Sequence, residues 1–382
     1  MKTVLNITFS TLLLLFFTGS HTGRANEKTI QHSPSEHIIE TNNTGNKIDN
    51  DNTQVIKHVY VIDLAGAEIK KQASESGKTL ATYPYGKQLA VIEETKEWLG
   101  IREWITGESL EWLDIKERDT RESVQNGWEK VYVLKSKTGS FDEITLVPEI
   151  LPIISWLGIN QKNEPADDSY EKTEFFLTNQ ALKDFLEIEL IDKGLFDSKR
   201  NSAVNFLTAD TTAIKKEKGV IELKCQTNVK KYIDINDPDI DDSIQVFGYI
   251  GQFELLNKYL IRGSYYEHSD YKLIDKNSCE ETLTSWGHPI ISADKKYIID
   301  IVANPFEQTT DLKLYSINDT QIKHVMSTSF KYWMPAEDPI PLEEIFWSTD
   351  NYLYLAVTHS STFWKEDGHL NEKYQYIRIK VL

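Results

Sequence analysis

Along most of the chain after residue 55, apolar residues alternate with polar ones, which is the spacing of half-buried β-strands. Turns rich in Gly, Pro, Asn and Asp separate the alternating runs, first over residues 56–140 and again over 216–382. Between them, over 141–215, apolar residues recur at three- and four-residue intervals, which is helical spacing. The pattern predicts a mainly β protein in which a short helical bridge joins two β regions.

The helical bridge over residues 141–215 is predicted from two runs. The first run has one apolar face, made by Ala181, Leu182, Phe185 and Leu186. Thr178 precedes it and is a residue type that caps helices. A second short helix is expected over residues 195–210, again with its apolar residues on one face.

Residues 1–25 have the three parts of an export signal. Lys2 supplies the positive charge, residues 5–17 are largely apolar, and small residues precede the predicted cleavage after Ala25. The alternative is a membrane anchor, which needs about 20 apolar residues; this run is shorter and contains Asn6. No cysteine lies near the cleavage point, and no later segment is apolar enough to span a bilayer. We therefore expect a periplasmic or secreted protein with no membrane span after cleavage.

Residues 26–55 are polar and rich in Asn and Asp, with almost no apolar periodicity. Such a composition predicts a disordered leader that acts as a flexible tether. About 355 residues remain after the signal, and 40% of the chain is hydrophobic. A chain of this length is expected to form two or three domains, each with its own core.

Three short motifs organise residues 56–140. They are a Pro-Tyr-Gly-Lys turn at 84–87, a Trp-led strand at 97–102 and a closing Gly-Trp strand at 127–133. In their order and spacing they resemble a bacterial SH3-like domain, a small β-barrel of exported proteins. An insertion of about twenty residues before the closing strand departs from that pattern. The resemblance implies a small barrel that binds peptidoglycan or a peptide.

Residues 216–382 contain an internal repetition. Segments 256–274, 292–315 and 348–379 each read as a turn, an apolar strand, a polar loop and a second strand. The first two are about 40 residues apart, which is the period of propeller blades. Residues 289–297 also resemble the Pro-x-x-Ser-x-Asp-Gly turn of propeller-type repeats, with Lys295 replacing the glycine. The resemblance implies an antiparallel β domain with propeller-like repeats, and an open or irregular β-sheet domain remains the alternative.

The formal net charge is −17, with 59 acidic residues against 42 basic ones. A surface of this charge repels nucleic acid, which excludes DNA and RNA as partners. Two interpretations of the acidity stay open. It favours a cationic partner, or it only keeps an exported protein soluble.

Cys225 and Cys279 are the two cysteines of the chain. In an oxidising compartment they are candidates for one disulfide, and two buried free thiols are the alternative. No histidine lies at ligand spacing to either, so a structural zinc site is not predicted. The acidic run at 234–242 lacks the Gly and the final Glu of a calcium loop. We therefore predict no metal site and no cofactor.

Motifs of catalysis are absent from the sequence. There is no Gly-x-Ser-x-Gly turn to expose an activated serine, and no Gly-rich phosphate loop. Pairs of acidic residues, which glycosidases use for catalysis, are expected by chance in a chain with 59 acidic residues and so do not indicate that activity. We therefore predict no catalytic residues.

Tryptophans are the more informative residues for function. Trp98 and Trp128 fall in the strand pattern of the barrel and are expected in its core. Four others occur in or beside polar segments and are predicted to contact a ligand: Trp104, Trp112, Trp333 and Trp364.

These observations predict an exported, non-catalytic binding protein for cell-wall material, such as peptidoglycan, or for another exported protein. One alternative is an inhibitor or immunity-type protein that blocks a secreted toxin or wall hydrolase through its acidic surface. A second alternative is a hydrolase whose site lies on the C-terminal β domain.

Overall fold

The computed structural model describes Ile48 and residues 53–105, 127–159, 182–210, 212–236, 244–266, 268–305, 307–335 and 343–382. The predicted signal and most of the predicted leader lie outside these ranges. The prediction of a mainly β fold is confirmed: the described residues form antiparallel sheets, with one α-helix, α1 (Lys193–Arg200).

The first seven strands form one sheet, sheet I. They are β1 (Lys57–Val61), β2 (Ala67–Lys70), β3 (Thr79–Tyr83), β4 (Gln88–Glu94), β5 (Trp98–Ile105), β6 (Gly127–Leu134) and β7 (Thr138–Gly139). Their order across the sheet is β3-β2-β6-β5-β4-β1-β7. Alternate residues of five strands, including Val61, Ile69, Val91, Ile101 and Val133, pack into one cluster, so one face of the sheet carries its own apolar core.

Nineteen further strands follow among the described residues. They are β8 (Ile154–Ile159), β9 (Leu186–Ile191), β10 (Ala203–Val204), β11 (Leu207–Thr208), β12 (Lys216–Glu217), β13 (Val220–Lys224), β14 (Val229–Ile233), β15 (Gln245–Phe253), β16 (Lys258–Tyr265), β17 (Ser269–Asp275), β18 (Glu281–Ser285), β19 (Ile290–Ile291), β20 (Tyr297–Asn304), β21 (Thr309–Asn318), β22 (Gln321–Phe330), β23 (Trp333–Pro335), β24 (Ile345–Ser348), β25 (Leu353–His359) and β26 (Gln375–Val381).

These strands make four antiparallel sheets. Sheet II has the order β19-β20-β21-β22-β8, and sheet III has the order β10-β24-β25-β26-β9 with β23 also paired to β25. Sheet IV has the order β11-β15-β16-β17-β18, and sheet V is β12-β13-β14. In sheets II, III and IV the strands β19 to β22, β24 to β26 and β15 to β18 lie side by side in chain order, and β8, β9, β10, β11 and β23 join from other positions in the chain.

Apolar clusters between the sheets show how they are layered. One cluster joins sheets II and III and contains Leu314, Trp333, Trp347 and Leu355. A second joins sheets IV and II, and a third joins sheets V and IV. The sheets therefore pack in the sequence V, IV, II, III, and sheet II is covered on both faces. Buried polar groups in its strands must consequently find partners inside the protein.

The expectation of a helical bridge over residues 141–215 is wrong for the part of this segment that the structure describes. Residues Leu186–Ile191, predicted as helix, form β9 and pair with β26. Strands β8, β10 and β11 pair with sheets II, III and IV respectively. The segment therefore completes sheet edges, where pairing satisfies backbone groups that would otherwise be exposed. The α1 helix overlaps the start of the second predicted helix, but it begins two residues earlier and ends at Arg200, and β10 and β11 occupy part of the remainder.

The three repeated segments start at turns of the same backbone geometry. Asn257, Lys295 and Asn351 adopt left-handed φ angles of 54°, 64° and 62°. Each stands one or two residues before a strand, namely β16, β20 and β25. Asparagine tolerates this conformation better than most residues. Lys295, which replaces the glycine of the turn pattern, adopts it as well.

Sheet I contacts the core between sheets II and III through a close approach at one turn. Gly86 has a φ of +82°, and a Cβ at this position would collide with Cε1 of His359. The rings of Tyr85 and Tyr332 pack against the His359 ring at 5.3 and 5.7 Å. The Tyr85 hydroxyl also donates to the carbonyl of Thr145 at 2.9 Å. Only glycine permits this approach without displacing the imidazole.

Sheets V and IV are linked covalently. Cys225, which follows β13, is bonded to Cys279, which precedes β18, and their Cα atoms are 5.6 Å apart. Backbone hydrogen bonds from Gln226 to Lys276 and from Thr227 to Asn277 lie beside the bridge. Of the two alternatives that the sequence left open, the structure therefore has the disulfide.

We predict that loss of the disulfide lowers the free energy of unfolding. The bridge joins residues 54 positions apart, and closing a loop of that length stabilises by about 4 kcal/mol in the chain-entropy account. Denaturant unfolding of Cys225→Ser/Cys279→Ser should show a loss of up to this size. Reductant should produce the same loss in the wild type and no change in the variant. An equal midpoint for wild type with and without reductant would contradict the prediction.

We predict that His359 contributes to acid sensitivity. Burial lowers the pKa of His359 from 6.5 to about 4, so the folded protein excludes a proton that the unfolded chain binds. The contribution of His359 to the free energy of unfolding is fully present above pH 6.5. It is lost as the pH falls towards 4, and the loss is on the order of 3 kcal/mol.

The measurement is the free energy of unfolding between pH 4 and 7 for wild type and His359→Gln. The variant should lose less stability on acidification than the wild type. The control is His369→Gln, because His369 is exposed. Its replacement should leave the change of unfolding free energy with pH as it is in the wild type. Equal slopes for wild type and His359→Gln would exclude His359 as the source.

Candidate functional site

The four tryptophans predicted to contact a ligand have different environments. Trp104 and Trp364 are 45% and 47% exposed, whereas Trp333 is completely buried. Trp112 lies outside the described residues. The Trp104 ring contacts Trp128 in sheet I, and the Trp364 ring contacts its neighbour Phe363. The structure therefore does not join these residues into one surface.

Trp333 is a core residue, so its prediction as a contact residue is wrong. It begins β23, which pairs with β25. Its ring packs on Phe330 at 4.6 Å, and its indole N–H donates to the carbonyl of Leu151 at 3.1 Å. The polar residues that flank Trp333 in the sequence suggested a loop, but strand pairing and a satisfied indole N–H place the ring inside.

An exposed aromatic surface forms on the outer face of sheet I. In the antiparallel pair of β5 and β6, Trp104 lies opposite Trp128, and Arg102 lies opposite Lys130. Residues opposite each other in such a pair have their side chains on the same face. The two indole rings meet edge to face at 5.5 Å. We call Arg102, Trp104, Trp128, Lys130 and Tyr132 the Trp104 surface.

Arg102 is the available cation of the Trp104 surface. Its guanidinium lies 5.0 Å from the centroid of the Trp128 ring, within the range of a cation–π contact. It makes no ion pair with any residue that the structure describes, and its Nε has no hydrogen-bond partner there. Lys130 differs, because it pairs with Glu93 at 2.6 Å, and this hydrogen bond raises the pKa of Lys130.

Sequence reasoning missed part of this surface. Trp128 was expected in the core, but its side chain is only half-buried. Arg102 was not singled out at all. The signal was present in the alternation of β5, which puts Gly100, Arg102 and Trp104 on the face opposite Leu99 and Ile101.

A groove of about 550 Å³ lies beside Trp364. Its walls combine the start of the segment after β7 with the turn before β26: Phe141, Asp142, Lys365, Glu366, Asn371, Glu372 and Lys373. Lys373 pairs with Asp142 at 2.5 Å, and Glu366 lies 3.5 Å from the His58 ring. Three charged residues of the groove, Asp142, Glu366 and Lys373, thus have ionic partners among the described residues.

A further exposed tryptophan, Trp286, was not singled out from the sequence. Its side chain is 47% exposed and lies directly after β18, at the edge of sheet IV. Its backbone N–H, together with that of Gly287, donates to the carboxylate of Asp300 in sheet II. The segment Thr-Ser-Trp-Gly-His reads as a strand end, and nothing in it signals exposure of the ring.

Asp300 is a buried carboxyl in the middle of β20. It is 2% exposed, and burial raises its pKa from 3.8 to about 7. Lys313, opposite in β21, partly offsets this rise in the pKa of Asp300. Carboxyl groups with shifted pKa values occur at active sites and also in structural hydrogen-bond and ion-pair networks. Here the carboxylate accepts the Gly287 N–H at 2.7 Å, which anchors the turn that carries Trp286.

A serine and a histidine meet in β22 of sheet II. The His324 ring and the Ser327 hydroxyl are 2.6 Å apart, on either side of a β-bulge. Burial lowers the pKa of His324. The pair spans the bulge within one strand, which is a local structural role. In the described ranges no three His, Cys, Asp or Glu side chains are grouped as metal ligands.

The pKa of Asp300 leads to a prediction about stability and pH. Because the pKa of Asp300 is raised in the folded state, its contribution to the free energy of unfolding is fully present below pH 4. This contribution is lost as the pH rises through 7. The loss is on the order of 4 kcal/mol. We expect Asp300→Asn to gain stability relative to wild type between pH 4 and 8.

The measurement is the free energy of unfolding of both proteins at several pH values in that interval. Asp319→Asn is the control, because Asp319 is exposed in the turn between β21 and β22 and its replacement should not reproduce the trend. A difference between wild type and Asp300→Asn that is independent of pH would contradict the assignment.

Within the described ranges, α1 has eight residues, and no helix there combines the length and the apolar character needed to cross a bilayer. Comparison of the chain with protein-family models, with curated proteins and with solved structures finds no match. The arrangement of side chains described above is therefore the basis for assigning a function.

Proposed function

We propose that this chain is an exported, non-catalytic binding protein that recognises cell-wall material through the Trp104 surface. The observation that carries the proposal is the state of Arg102. In a chain of net charge −17, its guanidinium is stacked on a half-exposed indole and makes no ion pair with the described residues. An arginine that has no carboxylate partner among the described residues of an acidic protein is suited to an external anion.

The chemistry of the surface defines the class of ligand. A guanidinium presents several donors in one plane and matches a carboxylate, and the neighbouring indoles offer flat apolar area. Peptidoglycan has both features, since its peptide stems carry carboxylates beside apolar side chains. An acidic segment of an exported protein has the same chemistry, and the experiment below distinguishes the two sources.

The finer fold is part of the same proposal. We propose that sheet I is an SH3-like barrel, which is supported by the single apolar cluster that its strands share. We also propose that sheets IV, II and III are propeller-like repeats. Their consecutive antiparallel strands support this interpretation. So do the left-handed residues Asn257, Lys295 and Asn351 before β16, β20 and β25.

We predict that the purified mature chain is retained by isolated cell wall and that Arg102→Ala weakens retention. Losing a charge-assisted contact of this kind costs roughly 1.5–3 kcal/mol, or about 10- to 100-fold in affinity. Trp104→Ala should weaken binding by a smaller factor. Added salt should also weaken it, because the contact is ionic and partly exposed. The measurement is co-sedimentation with wall over a range of salt concentrations.

Trp364→Ala is the matched control, because Trp364 is as exposed as Trp104 but lies in the loop between β25 and β26, outside sheet I. It should bind wall as the wild type does. If wild type is not retained by wall at low or moderate salt, the wall is not the ligand. Retention that is equal in wild type and Arg102→Ala would exclude the Trp104 surface as the binding site.

A further inference from the structure

Trp286 is the last ring in a short stack of aromatic side chains. The Tyr265 and His268 rings are nearly parallel, with centroids 4.5 Å apart, and Trp286 follows at 5.8 Å. Tyr265 lies across Gly263, where a Cβ would collide with its hydroxyl and with Asp270. The stack therefore rests on the backbone of sheet IV, and the outer side of Trp286 remains exposed.

The backbone of Trp286 is also fixed, by a different sheet. Asp300 of β20 accepts the N–H groups of Trp286 and Gly287. A Cβ at Gly287 would collide with the Asp300 carboxylate and with the Ile301 carbonyl, so this position requires glycine. The exposed indole of Trp286 is therefore pre-organised. The ring stack supports its side chain, and the buried carboxyl of Asp300 holds its backbone. Pre-organisation lowers the entropic cost of binding a ligand.

Polar side chains continue from this point across sheet II. Asp300 lies opposite Lys313, and Lys313 lies opposite Ser327. Asp311, two residues before Lys313, is on the same face. Lys313, Ser327 and Asp311 are half-buried. Neither Lys313 nor Asp311 makes an ion pair with the described part of the chain.

We propose that Trp286, with Lys313, Asp311 and Ser327, forms a binding site for a neutral sugar ring. The flat face of a pyranose consists of C–H groups and fits on an exposed indole. Its rim carries hydroxyls, each of which donates and accepts hydrogen bonds. Lys313 supplies donors and Asp311 supplies acceptors. The Ser327 hydroxyl, which is already bonded to the His324 ring, retains an acceptor lone pair.

The charges on this row favour a neutral ligand. On this face Lys313 carries a positive charge, and Asp311 and the buried Asp300 supply carboxyl groups, so an anionic or a cationic polymer would meet a charge of its own sign. An uncharged polyol uses both groups without this repulsion. The site differs from the Trp104 surface, whose cation Arg102 selects an anion. The inference thus goes beyond the proposed function, because it assigns a second ligand class to a second surface.

The test is titration of the full mature chain with two neutral oligosaccharides, a pentamer of N-acetylglucosamine and a pentamer of glucose. Binding is followed by intrinsic fluorescence and by calorimetry. At least one of them should bind saturably below about 10 mM. Trp286→Ala should weaken that binding roughly 3- to 10-fold, because one aromatic face is lost. Trp286→Tyr should restore part of the affinity, which separates loss of the ring from a disturbed fold.

Tyr266→Ala is the matched control, because Tyr266 is an exposed aromatic in the same turn region, 56% exposed, and should bind as wild type does. Lys313→Ala should weaken binding, whereas Arg102→Ala should not, even if it loses wall retention. The proposal is overturned if neither oligosaccharide binds below about 10 mM. It is also overturned if Trp286→Ala binds as tightly as wild type, or if binding depends on Arg102 instead.

Discussion

Burial of the apolar face of sheet II against sheet III is the interaction on which the rest of the structure depends. Trp333 and Trp347 are both fully buried in this contact. Removing a side chain of this size from such a core costs about 3–5 kcal/mol, which is a large part of the stability of a typical domain. Sheet IV then covers the other face of sheet II, and sheet V covers sheet IV. Each layer needs the one before it to bury its own apolar face.

Two kinds of contact attach the remaining parts to this stack. Strands β8, β9 and β10 come from the segment between sheet I and sheet V, and they pair with the edges of sheets II and III. Sheet I attaches through side chains instead, because the turn at Gly86 approaches His359 closely and carries Tyr85 against it. The first contact stabilises by satisfying backbone groups at an edge. The second leaves a buried imidazole that must stay neutral.

The candidate binding surfaces lie where a charged group lacks an ion-pair partner among the described residues or where a large aromatic side chain is exposed. Arg102 has no ion-pair partner in the described part of the molecule, whereas Lys130, opposite it in β6, pairs with Glu93. Trp286 exposes an indole that two sheets hold in place. Such departures are expected at functional sites, because a group whose interactions are satisfied internally has little left for a ligand. The groove beside Trp364 differs, because Lys373 pairs there with Asp142 and Glu366 lies against His58.

The sequence by itself determined the mainly β fold and the turns at which strands begin, because these depend on local alternation and turn chemistry. Only the tertiary structure decided the rest. Leu186–Ile191 is a strand because β26 offers an edge, although its apolar spacing also fits a helix. Trp333 is buried, Cys225 pairs with Cys279, and Asp300 anchors Trp286. Each of these joins residues that are distant in the chain, and local pattern carries no information on such contacts.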